Sequence, residues 1–179
     1  MDNECVFSDD RKYRYTLHHE WCPNKPTAAF IGLNPSTADE QELDPTLRRI
    51  RGFCESWGFG SFTMLNLFAF RATDPRDMKS AVDPIGPMND DMIVKTCMSC
   101  NMIIACWGNH GSFMGRSKRT KSMLTNHRFN VSYLKMTKAG EPSHPLYLSK
   151  SLKPILWIGE VENGGQNSNR SGYRKICAR

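Results

Sequence analysis

Four short segments carry polar groups where a connecting turn needs only turn residues. The first, Gly32-Leu33-Asn34-Pro35-Ser36, sets an amide on a turn stiffened by proline, after a glycine that lets another group approach the main chain. The Asn34 amide both donates and accepts, which suits a held water or the polar edge of a ligand; an ordinary turn with a local Asx bond uses the same residues. The second is Asn66 within Thr63-Met64-Leu65-Asn66-Leu67, an amide among apolar residues that must find partners or cost about 1–3 kcal/mol. It is either a buried structural amide or one that reads a ligand edge. The third, Trp107-Gly108-Asn109-His110-Gly111, is a flexible turn or a place where main chain approaches phosphate, and it lacks the Gly-Lys-Ser/Thr of a P-loop. The fourth is Pro142-Ser143-His144-Pro145-Leu146-Tyr147-Leu148, where two prolines hold a histidine ahead of three bulky side chains. A lone histidine is commonly a surface residue, yet a polar donor beside an apolar wedge is what drawing a base out of a stack requires.

These segments need elements that bring them together. Residues 27–33 and 61–68 are apolar runs that predict buried strands, and 102–106 and 131–136 predict two more. Residues 13–21 predict an edge strand. Asp44 followed by Pro45 predicts a capped helix, with Leu47, Ile50, Cys54 and Trp57 on its apolar face and an end at Gly58 and Gly60. Further helices are expected after Asp74-Pro75, from Pro87 to about Cys100, over 115–126, and briefly after Pro145. Alternating strands and helices predict an α/β fold: three layers, α/β/α, around a mostly parallel sheet of four to five strands. Right-handed crossovers then put all the strand carboxyl ends on one edge, where ligands bind in such sheets. The four segments all leave strands on that edge.

Composition bounds the rest. With 179 residues, 39% of them hydrophobic and 23% charged, the chain has enough apolar content for one core and too little charge for disorder. We expect one domain over 1–158 and a mobile basic tail rich in glycine and asparagine over 159–179. No apolar run reaches the roughly 20 residues of a membrane span, and residues 1–10 are polar and acidic, so a monomeric cytoplasmic protein is expected. Seven cysteines form no paired framework, and Cys97-x-x-Cys100 has no second pair at zinc spacing; they predict reduced thiols and no metal site. The net charge is +6, and it is uneven: residues 1–100 hold 15 of the 18 acidic side chains. Residues 112–158 hold nine lysines and arginines against Glu141 alone. That one-sided field suits a polyanion, although a basic helix over 115–126 is also an ordinary solvated face.

The segments GLNPSTADEQELDPTLRR, NLFAFRATDP, DPIGPMNDD, ACWGNHG and EPSHPLYL resemble a bacterial and phage family, domain of unknown function 1643, over about residues 13–153. That family in turn resembles the uracil-DNA glycosylase superfamily on three short motifs. Gly32-Leu33-Asn34-Pro35 corresponds to a strand-ending Gly-x-Asp/Asn-Pro, Met64-Leu65-Asn66 to the strand bearing a base-reading asparagine, and His144-Pro145-Leu146 to the second catalytic motif with its inserting leucine. There are departures. Asn34 stands where the most active members have a water-activating aspartate. Leu-Tyr-Leu follows His144-Pro145 instead of Ser-Pro-Leu, so the wedge is either Leu146 or Tyr147. The stretch 37–44 adds Asp39, Glu40, Glu42 and Asp44, any of which can supply a carboxylate.

The resemblance implies a uracil-DNA glycosylase-like fold and a DNA glycosylase that flips a modified base and hydrolyses its N-glycosidic bond, leaving an abasic site, without a cofactor. It implies Asn34 at the water, alone or with Asp44 or Asp39, His144 as donor to the departing base and Asn66 at the base edge. Phe68 or Trp107 stacks, with Gly32, Leu33, Pro35, Ser36 and Arg71 around them. Arg116, Lys118, Arg119, Lys121 and Lys138 are then expected on DNA phosphates. A hypermodified phage cytosine, such as glucosylated hydroxymethylcytosine, in anti-phage defence is the expected target; uracil or a damaged base in repair is the alternative. Two rival classes share the fold: a non-catalytic binder of nucleic acid or nucleotide, and an enzyme acting on free nucleosides, which needs neither wedge nor basic face.

Overall fold

The computed structural model describes residues 3–36 and 43–159. The expected tail and the carboxylates Asp39, Glu40 and Glu42 lie outside the described residues.

Seven strands form one sheet: β1 (Asn3–Phe7), β2 (Arg14–Glu20), β3 (Thr27–Gly32), β4 (Ser61–Asn66), β5 (Met102–Ala105), β6 (Val131–Tyr133) and β7 (Ile155–Ile158). Their order is β1-β2-β4-β3-β5-β6-β7. The middle four, β4-β3-β5-β6, are parallel. Antiparallel pairings add β2 and β1 on one side and β7 on the other. The sequence reading therefore found the parallel centre and undercounted the flanks. Residues 13–21 do not form an edge strand, because β1 pairs outside β2. Both outermost strands are short and half-solvated, with Val6, Ile155 and Leu156 exposed; β1 (NECVF) has no apolar run, whereas β7 (ILWI) is one of only four residues that the sequence reading passed over.

Alternate side chains on the parallel strands enter two cores. Ala28, Phe30, Phe62, Met64 and Ile104 pack under α1 (Pro45–Ser56), whose Leu47, Ile50, Phe53 and Cys54 are buried. Ala29, Ile31, Leu65, Ile103 and Ala105 pack on the other face, with Met78 of α2 (Pro75–Ser80), Ile93 and Cys97 of α3 (Asn89–Ser99) and Leu124 of α4 (Arg116–Asn126). Helices thus cover both faces. Trp57 ends α1 instead of lying within it, and stacks on Phe53 at 5.3 Å and Phe30 at 6.3 Å between centroids. Cys97 and Cys100 both pack in or against the second core, and burial pushes their thiols up to about 12 and about 11.

The strand order sets the site. The chain leaves β3 toward α1 on one face and leaves β5 toward α4 on the other. Adjacent parallel strands whose exits diverge leave a crevice at their carboxyl ends. That crevice lies between residues 32–36 and 106–110.

Candidate functional site at the diverging strand ends

A cavity of about 510 Å³ occupies this crevice. Gly32, Leu33, Asn34 and Ser36 line it from the end of β3, Asp44 and Leu47 from the start of α1, Trp107 to His110 from the end of β5, and His144 from the loop after β6. Four segments up to 112 residues apart in sequence are brought together by the parallel centre of the sheet.

Asn34 is held by its own amide. Its Nδ2 donates to the Ala72 carbonyl at 2.7 Å and to the Pro35 carbonyl at 3.2 Å. The buried Pro35 carbonyl also accepts from the Ala72 N–H at 2.9 Å, so the turn is locked to the chain leaving β4. Both donor hydrogens are occupied, and Oδ1, which accepts nothing from the described residues, is the group left for a ligand or water. The sequence reading allowed Asn34 to donate or accept; this geometry leaves it an acceptor.

Gly32 makes room for the next strand. A Cβ there would meet Met64 Cε at 2.3 Å and Asn66 Oδ1 at 3.0 Å. Asn66 itself does not line the cavity. It is 3% exposed beside Gly32, and its Oδ1 has no hydrogen-bond partner among the described residues. A buried carbonyl oxygen left without a donor costs about 1–3 kcal/mol. The main chain around it is firmly placed: Asn89 Nδ2 donates to the Asn66 and Leu67 carbonyls at 3.0 Å, and Arg116 Nε donates to Leu67 at 2.7 Å.

Asp44 serves two surfaces. Its Oδ1 accepts from the Leu47 N–H at 2.8 Å and caps α1, as Asp followed by Pro predicts, while the residue also lines the cavity. Across from it, His144 is exposed at the rim. Its Nδ1 accepts a long bond, 3.4 Å, from the Leu146 N–H. Crowding by protein lowers its pKa below the usual 6.5, against a weaker opposite pull from Asp44. A neutral ring whose Nδ1 accepts carries its proton on Nε2, so His144 offers a neutral N–H donor.

The loop bearing His144 is clamped by Glu141. Its two carboxylate oxygens accept from Trp107 Nε1 at 2.6 Å and from Ser117 Oγ at 2.8 Å. The next carbonyl, of Pro142, accepts from the Gly108 N–H at 2.7 Å. Gly108 has φ 72°, a conformation that favours glycine, and a Cβ there would lie 3.9 Å from that of His144.

Several expected site residues lie elsewhere. Phe68 is fully buried against Phe113 in the core and offers no face for stacking. Arg71 turns to the amino-terminal hairpin, where Nη1 donates to the Arg11 carbonyl at 3.2 Å and the guanidinium lies 5.2 Å from the Phe7 ring. Trp107 forms a wall of the cavity but is 1% exposed. Leu146 packs beside α1, whereas Tyr147 is 89% exposed. Of the expected phosphate contacts, Arg116 is buried, with Nη2 on Asp90 at 2.5 Å; Arg119 shares that carboxylate at 3.2 Å. Lys121 lies over the Trp157 ring at 4.5 Å, while Lys118 is exposed on α4 and Lys138 on the turn between Thr137 and Glu141. The basic helix is thus partly a structural one: Arg116 is spent on the end of β4.

Arg14, 5% exposed, also lines the cavity, with Thr73, Asn109 and His110. A lone arginine between tyrosines in a strand was the available signal for Arg14; its place on the cavity required the pairing of β2 with β4.

Fold and cavity together define an α/β protein with a cavity lined in part by polar side chains at the carboxyl edge of its parallel strands. A family model described as a protein of unknown function (DUF1643) matches residues 14–146, and the chain belongs to that family. No curated protein and no solved structure matches the chain. Among the described residues, no helix is long and apolar enough to cross a membrane.

Proposed function

We propose that the protein is a DNA glycosylase that takes a flipped base into the crevice between β3 and β5 and hydrolyses its N-glycosidic bond. The observation that carries this reading is the convergence on one cavity of an acceptor amide, a carboxylate and a neutral imidazole donor, from Asn34, Asp44 and His144.

The reaction builds positive charge on the sugar and negative charge on the departing base, so donors aimed at the base and a held water are what it needs. Asn34 Oδ1 accepts a hydrogen bond from the attacking water and orients it. Asp44, through the oxygen not used in the cap, takes one proton of that water as its oxygen bonds to the anomeric carbon, and the other hydrogen stays on the new sugar hydroxyl. The bond to the base breaks with its electron pair moving to the base. His144 Nε2–H stabilises that anion, which finally takes a proton from solvent. The products are a free base and an abasic site. Asn66, whose oxygen is buried behind Gly32 outside the cavity lining, takes no part in this reading. Tyr147, nearly fully exposed next to the His144 turn, is the better wedge. A hypermodified cytosine of phage DNA is the substrate class we favour.

The test is incubation of the pure chain with duplexes carrying uracil, hydroxymethylcytosine or glucosylated hydroxymethylcytosine, followed by alkali cleavage at abasic sites. Strand cleavage is expected on a modified cytosine. Release from none of these, with DNA still bound, would favour a non-catalytic binder; hydrolysis of free nucleosides alone would favour a nucleoside enzyme.

A further inference from the structure

Beside the cavity lies a second concavity, a groove of about 490 Å³ along α1, lined by Pro45, Arg48, Arg49, Gly52, Phe53, Leu146 and Lys150. It continues the cavity along the same two segments. Pro45 follows Asp44, and Leu146 lies two residues after His144. Among the described residues that form it, the three charged ones are all cations. Arg49 is fixed: its guanidinium donates to the Leu148 carbonyl and lies 5.6 Å from the Phe53 ring. Arg48 and Lys150 are exposed. Gly52 leaves the floor bare, since a Cβ there would meet nothing within 4 Å. Tyr147 stands beside the groove with 89% of its surface in water.

We infer that this groove, and not α4, carries the nucleic-acid strand whose base enters the cavity, with phosphates on Arg48 and Lys150. The inference rests on the proposed base-binding role of the cavity. A flipped nucleotide keeps its flanking phosphates within a few ångströms of its sugar, so the phosphate contacts must adjoin the cavity mouth. The groove does so through two shared segments. On α4, Arg116 is buried and shares the one carboxylate of Asp90 with Arg119, which leaves fewer free cations there than the sequence suggested. Exposed arginine and lysine with a neighbouring aromatic is the combination that holds a strand without reading its sequence.

The experiment is fluorescence anisotropy of a labelled DNA duplex carrying no modified base, titrated with the full chain across a range of salt. The Arg48→Glu/Lys150→Glu variant should bind at least about tenfold more weakly, and the slope of log affinity against log salt should fall by about two, near 0.9 for each phosphate contact removed. Gly52→Phe, which fills the groove at unchanged charge, should weaken binding as well. Lys118→Glu/Lys121→Glu should bind close to the parent. Thermal melts confirm that each variant folds. Parental binding by the groove variants, an equal loss in the α4 variant, or no DNA binding by the parent would each overturn the inference. Groove-dependent binding without base release removes the glycosylase reading and leaves the groove standing. Base release from DNA that is indifferent to Arg48, Lys150 and Gly52 does the reverse.

Discussion

At the scale of single residues, Asn34 and Asp44 each combine a structural bond with an atom facing the cavity. Asn34→Ala and His144→Ala should each cut base release by about 10²–10³, the usual loss for one donor or acceptor acting in the transition state, with DNA affinity nearly unchanged. The motif comparison alone suggests that Asn34→Asp should keep or raise activity. The geometry predicts the opposite. A carboxylate oxygen in place of Nδ2 would face the Ala72 carbonyl at 2.7 Å, acceptor against acceptor, and the turn would open. Asn34→Asp should therefore lower both the rate and the melting temperature; a more active variant would overturn the assigned hydrogen-bond roles. For Asp44, serine separates cap from chemistry, because its hydroxyl caps a helix but cannot take the water proton. Asp44→Ser should keep the parental melting temperature and lose the rate, whereas Asp44→Ala should lose the rate and about 1 kcal/mol of stability as well.

The pH dependence follows from two histidines. Burial lowers the pKa of His19, and crowding lowers that of His144. The unfolded chain binds protons near pH 6.5 before the native state does. Stability should thus be full above that pH and fall as the solution is acidified through 6.5 toward the folded values. Protonation of His144 Nδ1 also removes the acceptor for the Leu146 N–H, so the acid limb of base release should lie below pH 6.5 and vanish in His144→Ala. Melts and rates between pH 5 and 8 check both; a melting temperature that rises on acidification contradicts the assignment.

At the scale of elements, Glu141 joins three of them. In the sequence it looks like the lone acid relieving a basic stretch. In the fold its carboxylate ties the His144 loop to Trp107 after β5 and to Ser117 on α4. Removing it frees the loop and leaves a buried indole N–H without its acceptor, which costs about 1–3 kcal/mol. Glu141→Ala should lower the rate of base release at saturating DNA more than it raises KM. Glu141→Gln can still accept from Trp107 and donate to the Ser117 oxygen, so it should restore most of the rate. A glutamine variant as poor as alanine would mean that charge, not loop placement, matters here.

At the scale of the whole molecule, β7 lies beyond the 14–146 family match yet closes the sheet on β6. Its Ile158 is 6% exposed in the core, and its Trp157 packs on Trp107 at 5.7 Å, behind the cavity wall. A chain ending after residue 159 should melt close to the full-length protein. One ending after residue 154 should lose several kcal/mol, since deleting one large buried side chain alone costs about 2–5 kcal/mol. Equal stability of the two truncations would show that β7 is dispensable.

The four central strands, the Asp44 cap and the segments at the strand ends were legible in the sequence because each is a local signal: an apolar run, a capping pair, polar residues where a turn would do. Parallel strands with helical crossovers then required those ends to share an edge. What the sequence alone left open were the partners. Arg116 and Lys118 stand two residues apart in one basic helix, yet the first is buried on Asp90 and Leu67 and the second faces water. Phe68 and Asn66 leave the same strand, and Phe68 fills the core while the Asn66 oxygen is left without a partner. Both of Asn34's amide hydrogens are occupied, one of them by a carbonyl 38 residues away. Such outcomes depend on which distant main-chain groups the packing leaves unsatisfied, and a buried carbonyl recruits whatever donor lies within reach. Only the tertiary structure decides that, because local sequence specifies the elements while burial, which creates the unmet hydrogen bonds, arises only when those elements pack together.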